Sequence, residues 1–267
     1  MPSDFLQQMA DASARRATVA EALTPLDTIR GMALDTPPPV APTWSAFDII
    51  AEVKRTSPSQ GRLAAERLDV VAQARAYANA GAALISVLTE PDRFGGNSED
   101  LRQIASRIDT PAMRKDFLVE PYQVFEARAW GASAVLLIAR ILDDDRLSVM
   151  LDACEAMALI ALLEAFDRAD IERSARAITN RTNVLLGLNC RNLATLEEDV
   201  SRFESLSACF PAGSIKIAES GIATPQDAAA VARLGYDGAL VGTALMRSDD
   251  PAALAAAMLE AGRKARA

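Results

Sequence analysis

Short apolar runs alternate with longer amphipathic segments from Phe47 onward, and this rhythm limits the possible folds more than any other feature of the chain. The runs are FDIIAEVK, ALISVL, PAMRKD, AVLLIA, ALIALLE, VLLGLN, SIKIAES and GALVG. The segments between them are rich in Ala, Arg and Asp and have the apolar spacing of helices. Continuous apolar runs separated by helices are typical of parallel strands buried on both faces. The sequence therefore predicts eight strands alternating with helices.

Three glycines recur at related positions and support that count. Gly81, Gly131 and Gly235 each end a helical segment before an apolar run, and they lie 50 and 104 residues apart. These spacings are close to two and four units of about 26 residues, and a glycine after a helix is the expected junction to a strand. The pattern predicts an α/β protein with a closed (β/α)8 barrel, a TIM barrel, for which 267 residues is an ordinary length. A doubly wound open sheet is the alternative, although eight strands without a long crossover favour closure.

The first 46 residues precede this rhythm and have a helical pattern of their own. Leu, Met, Ala and Val recur at three- and four-residue spacings between residues 4 and 34, which predicts one or two helices. The proline-rich stretch 36–42 is short and stiff, and we interpret it as a turn onto the first strand. We therefore expect a single domain over residues 1–267, with residues 1–46 as an N-terminal helical extension.

Composition excludes several classes of function. A formal net charge of −8 argues against binding of nucleic acid or of an anionic membrane, since both need clustered positive charge. The absence of histidine removes imidazole bases, Ser-His-Asp triads and His-ligated metals, so acid–base chemistry must come from other side chains. We predict a cytoplasmic protein for three reasons. The three cysteines form no CxxC motif, the N-terminus does not look like a signal peptide, and no apolar run approaches about 18 residues.

Charged side chains cluster at the carboxyl ends of the predicted strands, where barrel enzymes carry their active sites. Glu52 and Lys54 are two apart at the end of the first run and therefore lie on one face. The later strand-end residues are Lys115, Glu164, Asn189, Arg191, Glu219 and Ser220. A charged rim that is merely solvated would also give this pattern. Because buried charges are costly unless they are paired or used, the near-balanced set favours an acid–base site.

Small residues after the last two predicted strands indicate an anion site. ESGI at 219–222 follows the seventh run, and VGTA at 241–244 follows the eighth. Backbone N–H groups can point into the barrel mouth there, and these two loops form the frequent phosphate site of the architecture. The segment SPSQG at 57–61, after the first run, adds hydroxyl groups. The sequence therefore predicts a small phosphorylated ligand.

Several segments, taken in order, resemble the indole-3-glycerol phosphate synthase family. They are IIAEVKRTSPSQG, TEPDRFGGNSEDL, MRKDFLVEPYQVFEARAWGASAVLLI, LLEAFD, GLNCRNLATLEED, IAESGI and LVGTALMR. They extend from about Phe47 to Arg247, and the combination of AEVKRTSPS, RKDFLV and AESGI is highly specific. The resemblance implies a TIM barrel with the N-terminal helices packed over its mouth.

The resemblance also implies catalytic roles for individual residues. Lys115 corresponds to the general acid that protonates the substrate's ketone oxygen as a carbon–carbon bond forms, and Glu164 to its acid–base partner. Glu52 and Lys54 correspond to a pair that assists near the sugar hydroxyls and the anthranilate carboxylate. The supporting polar residues would be Asn189 and Glu219.

Substrate-binding residues follow from the same resemblance. The phosphate would be held by Ser57, Ser220, Gly221, Gly242 and Thr243. The anthranilate ring would be framed by Phe94, Phe117, Arg191 and Leu193. The implied reaction converts 1-(2-carboxyphenylamino)-1-deoxyribulose 5-phosphate into indole-3-glycerol phosphate, carbon dioxide and water, in tryptophan biosynthesis. It implies no metal and no cofactor, and other enzymes of the tryptophan pathway are candidate partners besides the phosphorylated substrate.

Three positions depart from the family's pattern without removing a catalytic residue. LLEAFD replaces a Val-His-Asp-like run, and Asn97 replaces a usual serine. Cys190 lies between Asn189 and Arg191, where a polar residue is commoner. A small buried side chain is the favoured interpretation of Cys190, with a reactive thiol as the alternative.

Two other functions stay open at this point. Phosphoribosylanthranilate isomerase is a phosphate-binding barrel whose chemistry uses a cysteine and an aspartate, and the first strand here ends at Glu52, Val53 and Lys54 with no cysteine. A non-catalytic paralogue acting as a binding or regulatory subunit is the other possibility. Such a paralogue would be expected to have lost Lys115 or Glu164, and both are present.

Overall fold

A closed barrel of eight parallel strands forms the centre of the protein. The structure, a computed structural model, describes residues 4–57, 61–62, 68–192 and 195–267. The barrel strands, numbered β1 to β8, are Asp48–Val53, Leu84–Leu88, Ala112–Lys115, Ala134–Ile138, Ile160–Ala165, Val184–Asn189, Lys216–Glu219 and Gly238–Val241. Each strand pairs in parallel with the next, and β8 pairs with β1 to close the ring. The predicted TIM barrel is confirmed, and the open sheet is excluded.

Helices connect successive strands. In chain order they are α1 Asp4–Leu23, α2 Leu26–Asp35, α3 Val70–Asn79, α4 Ser98–Ala105, α5 Pro121–Ala129, α6 Asp144–Ala156, α7 Arg168–Ala177, α8 Ser201–Leu206, α9 Pro225–Arg233, α10 Thr243–Arg247 and α11 Pro251–Arg266. Short 3-10 turns lie at Ala139–Ile141 and Ser207–Cys209, and a hairpin pairs Thr56–Ser57 with Gly61–Arg62. Within the described ranges, no helix has both the length and the apolar character needed to cross a membrane.

The three repeated glycines follow helix ends, as predicted. Gly81, Gly131 and Gly235 have φ values of +96°, +87° and +88°, in the left-handed region that residues with a Cβ atom rarely adopt. After α3, the N–H of Gly81 donates to the carbonyl of Ala78 at 3.0 Å, which satisfies an acceptor that the helix end leaves free. Each glycine thereby turns the chain from a helix into the next strand.

Inward-facing side chains stack in layers inside the barrel. The odd-numbered strands supply one apolar layer, made of Ile50, Met113, Leu162 and Ile217. Side chains alternate in direction along a strand, so residues two positions later face inward again, nearer the carboxyl end. On the same four strands those residues are Glu52, Lys115, Glu164 and Glu219. A layer of four charged side chains therefore caps the apolar interior at the barrel mouth.

The helices α1 and α2 lie against the barrel. Leu6 and Met9 of α1 are buried in the same cluster as the apolar interior layer. A hydrogen bond of 2.8 Å joins Nε2 of Gln123 on α5 to Oγ of Ser13 on α1, and α2 packs against α5. The apolar spacing in residues 4–34 thus forms two helices, in agreement with the sequence.

Candidate active site

A cavity of about 380 Å³ lies at the carboxyl ends of the strands, within the size range of small-molecule sites. The predicted site residues that line it are Glu52, Lys54, Phe94, Lys115, Phe117, Glu164, Asn189, Arg191, Glu219, Ser220, Gly221, Gly242 and Thr243. Ser57 lies in the hairpin strand Thr56–Ser57. Its side chain, like the whole of Leu193, falls outside the described residues. The fold therefore brings the charged strand ends and the two small-residue loops into one cavity.

Lys115, at the end of β3, is paired with two buried carboxylates. Its Nζ lies 3.4 Å from Oε2 of Glu164 and 3.3 Å from Oε2 of Glu219. Burial by itself would lower the pKa of the Lys115 ammonium, but the charges of Glu219, Glu164 and Glu52 outweigh burial and hold that pKa above its ordinary value. Lys115 is therefore a cation at neutral pH, and it can donate hydrogen bonds or a proton into the cavity.

Glu219, at the end of β7, is buried and only partly satisfied. Its Oε2 contacts Lys115, whereas Oε1 has no hydrogen-bond partner among the described residues. Burial is the largest cause that raises the pKa of Glu219, and the Glu164 carboxylate raises it further against the opposing effect of Lys115. The Glu219 carboxyl group therefore keeps its proton to a higher pH than an exposed glutamate does.

A glycine on the neighbouring strand makes room for the Glu219 side chain. Gly187 on β6 is paired in register with Ile217, two residues before Glu219. A Cβ atom at Gly187 would lie 2.0 Å from Oε1 of Glu219. Any larger residue at position 187 would therefore displace the carboxyl group that faces Lys115.

Glu52 and Lys54 form a second charged pair. Lys54 follows β1 instead of ending it, and its Nζ lies 2.7 Å from Oε1 of Glu52. Gly242 after β8 lies against this pair, since a Cβ atom there would be 2.3 Å from Glu52 Oε1 and 2.9 Å from Lys54 Nζ. Across the described part of the chain, no group of three or more Cys, Asp and Glu side chains could hold a metal ion. The pair offers a cation and a carboxylate to a polar ligand.

The residues after β6 form a polar edge of the cavity. Oδ1 of Asn189 accepts the backbone N–H of Arg191 at 3.0 Å. The Arg191 guanidinium pairs with the Glu198 carboxylate and donates to the carbonyl of Leu196 at 3.0 Å. Arg191 is therefore held by its own loop, with its charge already partnered.

The loops after β7 and β8 supply the small-residue side of the cavity. Ser220 and Gly221 have φ values of +69° and +68°. A Cβ atom at Gly221 would lie 2.6 Å from Cγ1 of Val200 and 3.1 Å from Sγ of Cys190, so the packing beneath this loop requires glycine. Residues 220–223 and 242–244 line the cavity, which is where the predicted anion site lies.

Three phenylalanines form the aromatic wall of the cavity. The ring centroids of Phe94 and Phe117 are 6.1 Å apart, and Phe5 meets Phe117 edge to face at 6.2 Å. Phe94 and Phe117 are predicted ring-framing residues, whereas Phe5 on α1 is not. Its position in an amphipathic helix gives no sign that it faces a ligand, because that depends on how α1 packs on the barrel.

Other cavity residues were not predicted either. They are Leu88, Asp116, Leu136, Ile138, Leu196, Glu198, Ala223, Leu240 and Arg247. Leu88 and Ile138 end β2 and β4, so attention to apolar as well as charged strand ends would have found them. Asp116 follows Lys115 directly, but its role depends on partners that are distant in sequence.

Comparison of the sequence with known proteins identifies its family. The family model of indole-3-glycerol phosphate synthase matches residues 39–258. An indole-3-glycerol phosphate synthase from Mycobacterium avium (strain 104) is 40% identical over 265 residues, covering 98% of this chain and 96% of that protein. Another, from a Nocardioides species, is 44% identical over 235 residues, covering 86% of this chain and 88% of that protein.

Solved structures show the same barrel at much lower sequence similarity. A 3-hexulose-6-phosphate synthase from Salmonella typhimurium has a TM-score of 0.65 and 12% identity, covering 81% of this chain and 99% of that chain. At that identity the likeness shows the fold alone. The family model, by contrast, matches most of this sequence, and the two relatives named above align with this chain over 96% and 88% of their own length. The chain therefore belongs to the indole-3-glycerol phosphate synthase family.

Proposed function

We propose that the protein catalyses ring closure of 1-(2-carboxyphenylamino)-1-deoxyribulose 5-phosphate to indole-3-glycerol phosphate, with release of one carbon dioxide and one water. It would then be a carbon–carbon lyase, specifically a carboxy-lyase. The observation that supports this reaction best is the Lys115 ammonium, held between the Glu164 and Glu219 carboxyl groups in the cavity at the carboxyl ends of the strands. The identity of the substrate is inferred from membership of the indole-3-glycerol phosphate synthase family.

Lys115 acts as the general acid for carbon–carbon bond formation. The aromatic carbon that carries the carboxylate attacks the ketone of the sugar, and negative charge develops on the ketone oxygen. An ammonium already oriented by two carboxylates stabilises that charge without further reorganisation and then delivers its proton. The raised pKa of Lys115 ensures that the proton is present before the substrate binds.

Glu164 and Glu219 have different roles beside this lysine. The family resemblance assigns Glu164 as the acid–base partner, and its Oε2, 3.4 Å from Nζ of Lys115, is within reach to return a proton. Burial, together with the Glu164 carboxylate, raises the pKa of Glu219 above that of an exposed glutamate. A protonated Glu219 can assist departure of the sugar hydroxyl as water in the dehydration step.

The remaining polar residues orient the substrate. Glu52 and Lys54 face the sugar hydroxyls and the anthranilate carboxylate, and Asn189 supports them from β6. Loss of carbon dioxide restores the aromatic ring, which the side chains of Phe94 and Phe117 frame together with Arg191. The ring pocket and the phosphate grip supply the orientation that the ring closure requires.

The phosphate group lies in the loops after β7 and β8. Ser220, Gly221, Gly242 and Thr243 line the cavity there, and exposed N–H groups in such loops are the usual phosphate donors of the barrel. The family resemblance adds Ser57 to the phosphate site and Leu193 to the ring site, although the side chain of the first and the whole of the second lie outside the described residues. We also predict that the protein acts in the cytoplasm and that it associates with other tryptophan-pathway enzymes.

Indole fluorescence tests the proposal directly. Purified protein is mixed with the anilino-deoxyribulose phosphate in excess EDTA, and the rise in indole emission is followed. A rise that is abolished in Lys115→Ala supports the reaction and its independence of metal ions. A folded protein that binds this substrate without turnover would instead be a non-catalytic paralogue, and absence of binding would contradict the assigned site.

A further inference from the structure

Arg16 on α1 connects the N-terminal helix to the barrel through three carboxylates. Its Nη2 lies 3.1 Å from Oδ1 of Asp116, and its Nη1 lies 3.6 Å from Oε1 of Glu90 and 3.4 Å from Oδ2 of Asp92. The side chains of Glu90 and Asp116 are 0% and 2% exposed, whereas that of Asp92 is 65% exposed. The guanidinium thus bridges two buried carboxylates that follow the neighbouring strands β2 and β3.

Asp116 fixes the backbone that carries one ring of the aromatic wall. Its Oδ1 accepts the N–H of Phe117 at 2.8 Å, and its Oδ2 accepts the hydroxyl of Thr89 at 3.0 Å. Oδ2 also lies 3.4 Å from Nη2 of Arg114. Asp116 therefore ties the end of β2 to the start of the Phe117 loop.

Glu90 fixes the turn that carries the second ring. Its carboxylate accepts the backbone N–H groups of Asp92, Arg93 and Phe94 at 3.0, 2.7 and 3.0 Å. Three N–H groups converging on one buried carboxylate hold this turn in a single conformation. The direction of the Phe94 ring therefore depends on where Glu90 lies.

The third ring of the wall lies on the same helix as Arg16. Phe5 is three turns earlier in α1, and it contacts Phe117 edge to face. Arg16 also lines a second, more open groove, together with Arg15 and Val19 of α1 and with Asp92. Arg16 does not line the active-site cavity itself, so any effect on the cavity must pass through these carboxylates.

We propose that Arg16 is a positioning residue that sets the aromatic wall for the substrate's anthranilate ring. The inference rests on the proposed function, because it assigns that ring to the wall of Phe5, Phe94 and Phe117. Without the guanidinium, Glu90 and Asp116 would lose the cation that joins them: Asp116 would keep its contact with Arg114, whereas the buried Glu90 carboxylate would lose the positive charge of Arg16. Both turns would then relax apart, and the wall would lose its fit to a flat ring.

Kinetics of three variants test this role. The rings bind the aromatic part of the substrate before and during reaction alike, so Arg16→Met should raise KM by about tenfold with kcat within about threefold of wild type. Arg16→Lys should recover part of the loss, since an ammonium reaches one carboxylate at a time whereas the guanidinium bridges both. Arg15→Met, an exposed arginine on the same helix, is the matched control and should leave KM unchanged.

A double-mutant cycle separates positioning from a general loss of stability. If Arg16 acts through the wall, Phe117→Leu should raise KM by clearly less in the Arg16→Met background than in wild type. A helix anchor that only stabilises the fold would lower the thermal midpoint and leave the two effects on KM multiplicative. Multiplicative effects, or equal KM values for Arg16→Met and Arg15→Met, would overturn the proposal.

Calorimetric titration with anthranilate alone distinguishes failure of this inference from failure of the proposed function. Weaker anthranilate binding in Arg16→Met than in Arg15→Met supports the positioning role even in a protein that shows no turnover. Equal binding by both variants contradicts it. A wild-type protein that neither binds anthranilate nor turns over the substrate would refute the proposed function and this inference together.

Discussion

Oε2 of Glu219 lies 3.3 Å from Nζ of Lys115, while Oε1 of the same carboxyl group has no partner among the described residues. The pair joins the ends of β3 and β7, two strands on different sides of the barrel. Burial raises the pKa of Glu219, and the surrounding carboxylates raise that of Lys115. The raised pKa favours the uncharged form of Glu219 and the charged form of Lys115. Because the two groups interact, a substitution of one should change the pKa of the other.

Lys115→Ala should lower turnover by roughly 10²-fold or more, the usual contribution of a positioned general acid. Affinity for inorganic phosphate should stay the same, because the loops after β7 and β8 do not depend on this side chain. Stopped-flow indole fluorescence gives the rate, and calorimetry gives the phosphate affinity. Lys216→Ala, at the opposite end of β7, is the control; an unchanged rate in Lys115→Ala would disprove its role as the acid.

Glu219→Gln should move the basic limb of the pH profile of kcat/KM to lower pH. The carboxylates are what raise the pKa of Lys115 against burial, so removing one lets burial act more strongly and lowers that pKa. Activity that needs the ammonium form is then lost at a lower pH. Glu155→Gln, in a surface ion pair with Arg181, should leave the limb in place. A limb that does not move in Glu219→Gln would assign it to another group.

Gly187→Ala should reduce kcat by about tenfold or more, because the new Cβ atom would lie 2.0 Å from Oε1 of Glu219 and push the carboxyl group off Lys115. Overpacking of this kind also costs about 1–3 kcal/mol of stability. Gly31→Ala is the matched control: a Cβ atom at position 31, in α2, would meet no side chain and no backbone outside its own helix turn within 4 Å, so alanine should be neutral or stabilising there. Steady-state kinetics with thermal unfolding would show the difference, and wild-type kcat in Gly187→Ala would contradict the steric argument.

The barrel could be predicted because the patterns that indicate its strands and helix ends lie within short stretches of sequence. Each apolar run became a strand, and each of the three repeated glycines adopted the positive φ that a helix end requires. The charged strand ends could be predicted for a related reason. In a parallel barrel, strand direction decides which end of each strand reaches the mouth, so Glu52, Lys115 and Glu164 had to converge once eight parallel strands were assumed.

The contacts between distant residues could not be predicted from the sequence. Arg16 and Asp116 are 100 residues apart, and nothing in either segment indicates that they meet. Phe5 is one of several apolar residues in an amphipathic helix, and the side that faces the cavity depends on how α1 lies on the barrel. The space that Gly187 leaves for Glu219 depends on the register of β6 and β7, which the sequence pattern does not fix.

Cys190 should be unreactive in the native protein although it lies beneath the proposed phosphate loop. Burial is the main cause that raises the pKa of its thiol to about 12, and the Glu198 carboxylate adds to the effect; burial likewise raises the pKa of Cys154 to about 12. Cys209 is partly exposed. At pH 8, Ellman's reagent should therefore label one thiol rapidly, and all three only after unfolding. Cys209→Ser should remove the rapid phase, and a rapid phase that is lost instead in Cys190→Ser would identify Cys190 as a reactive thiol.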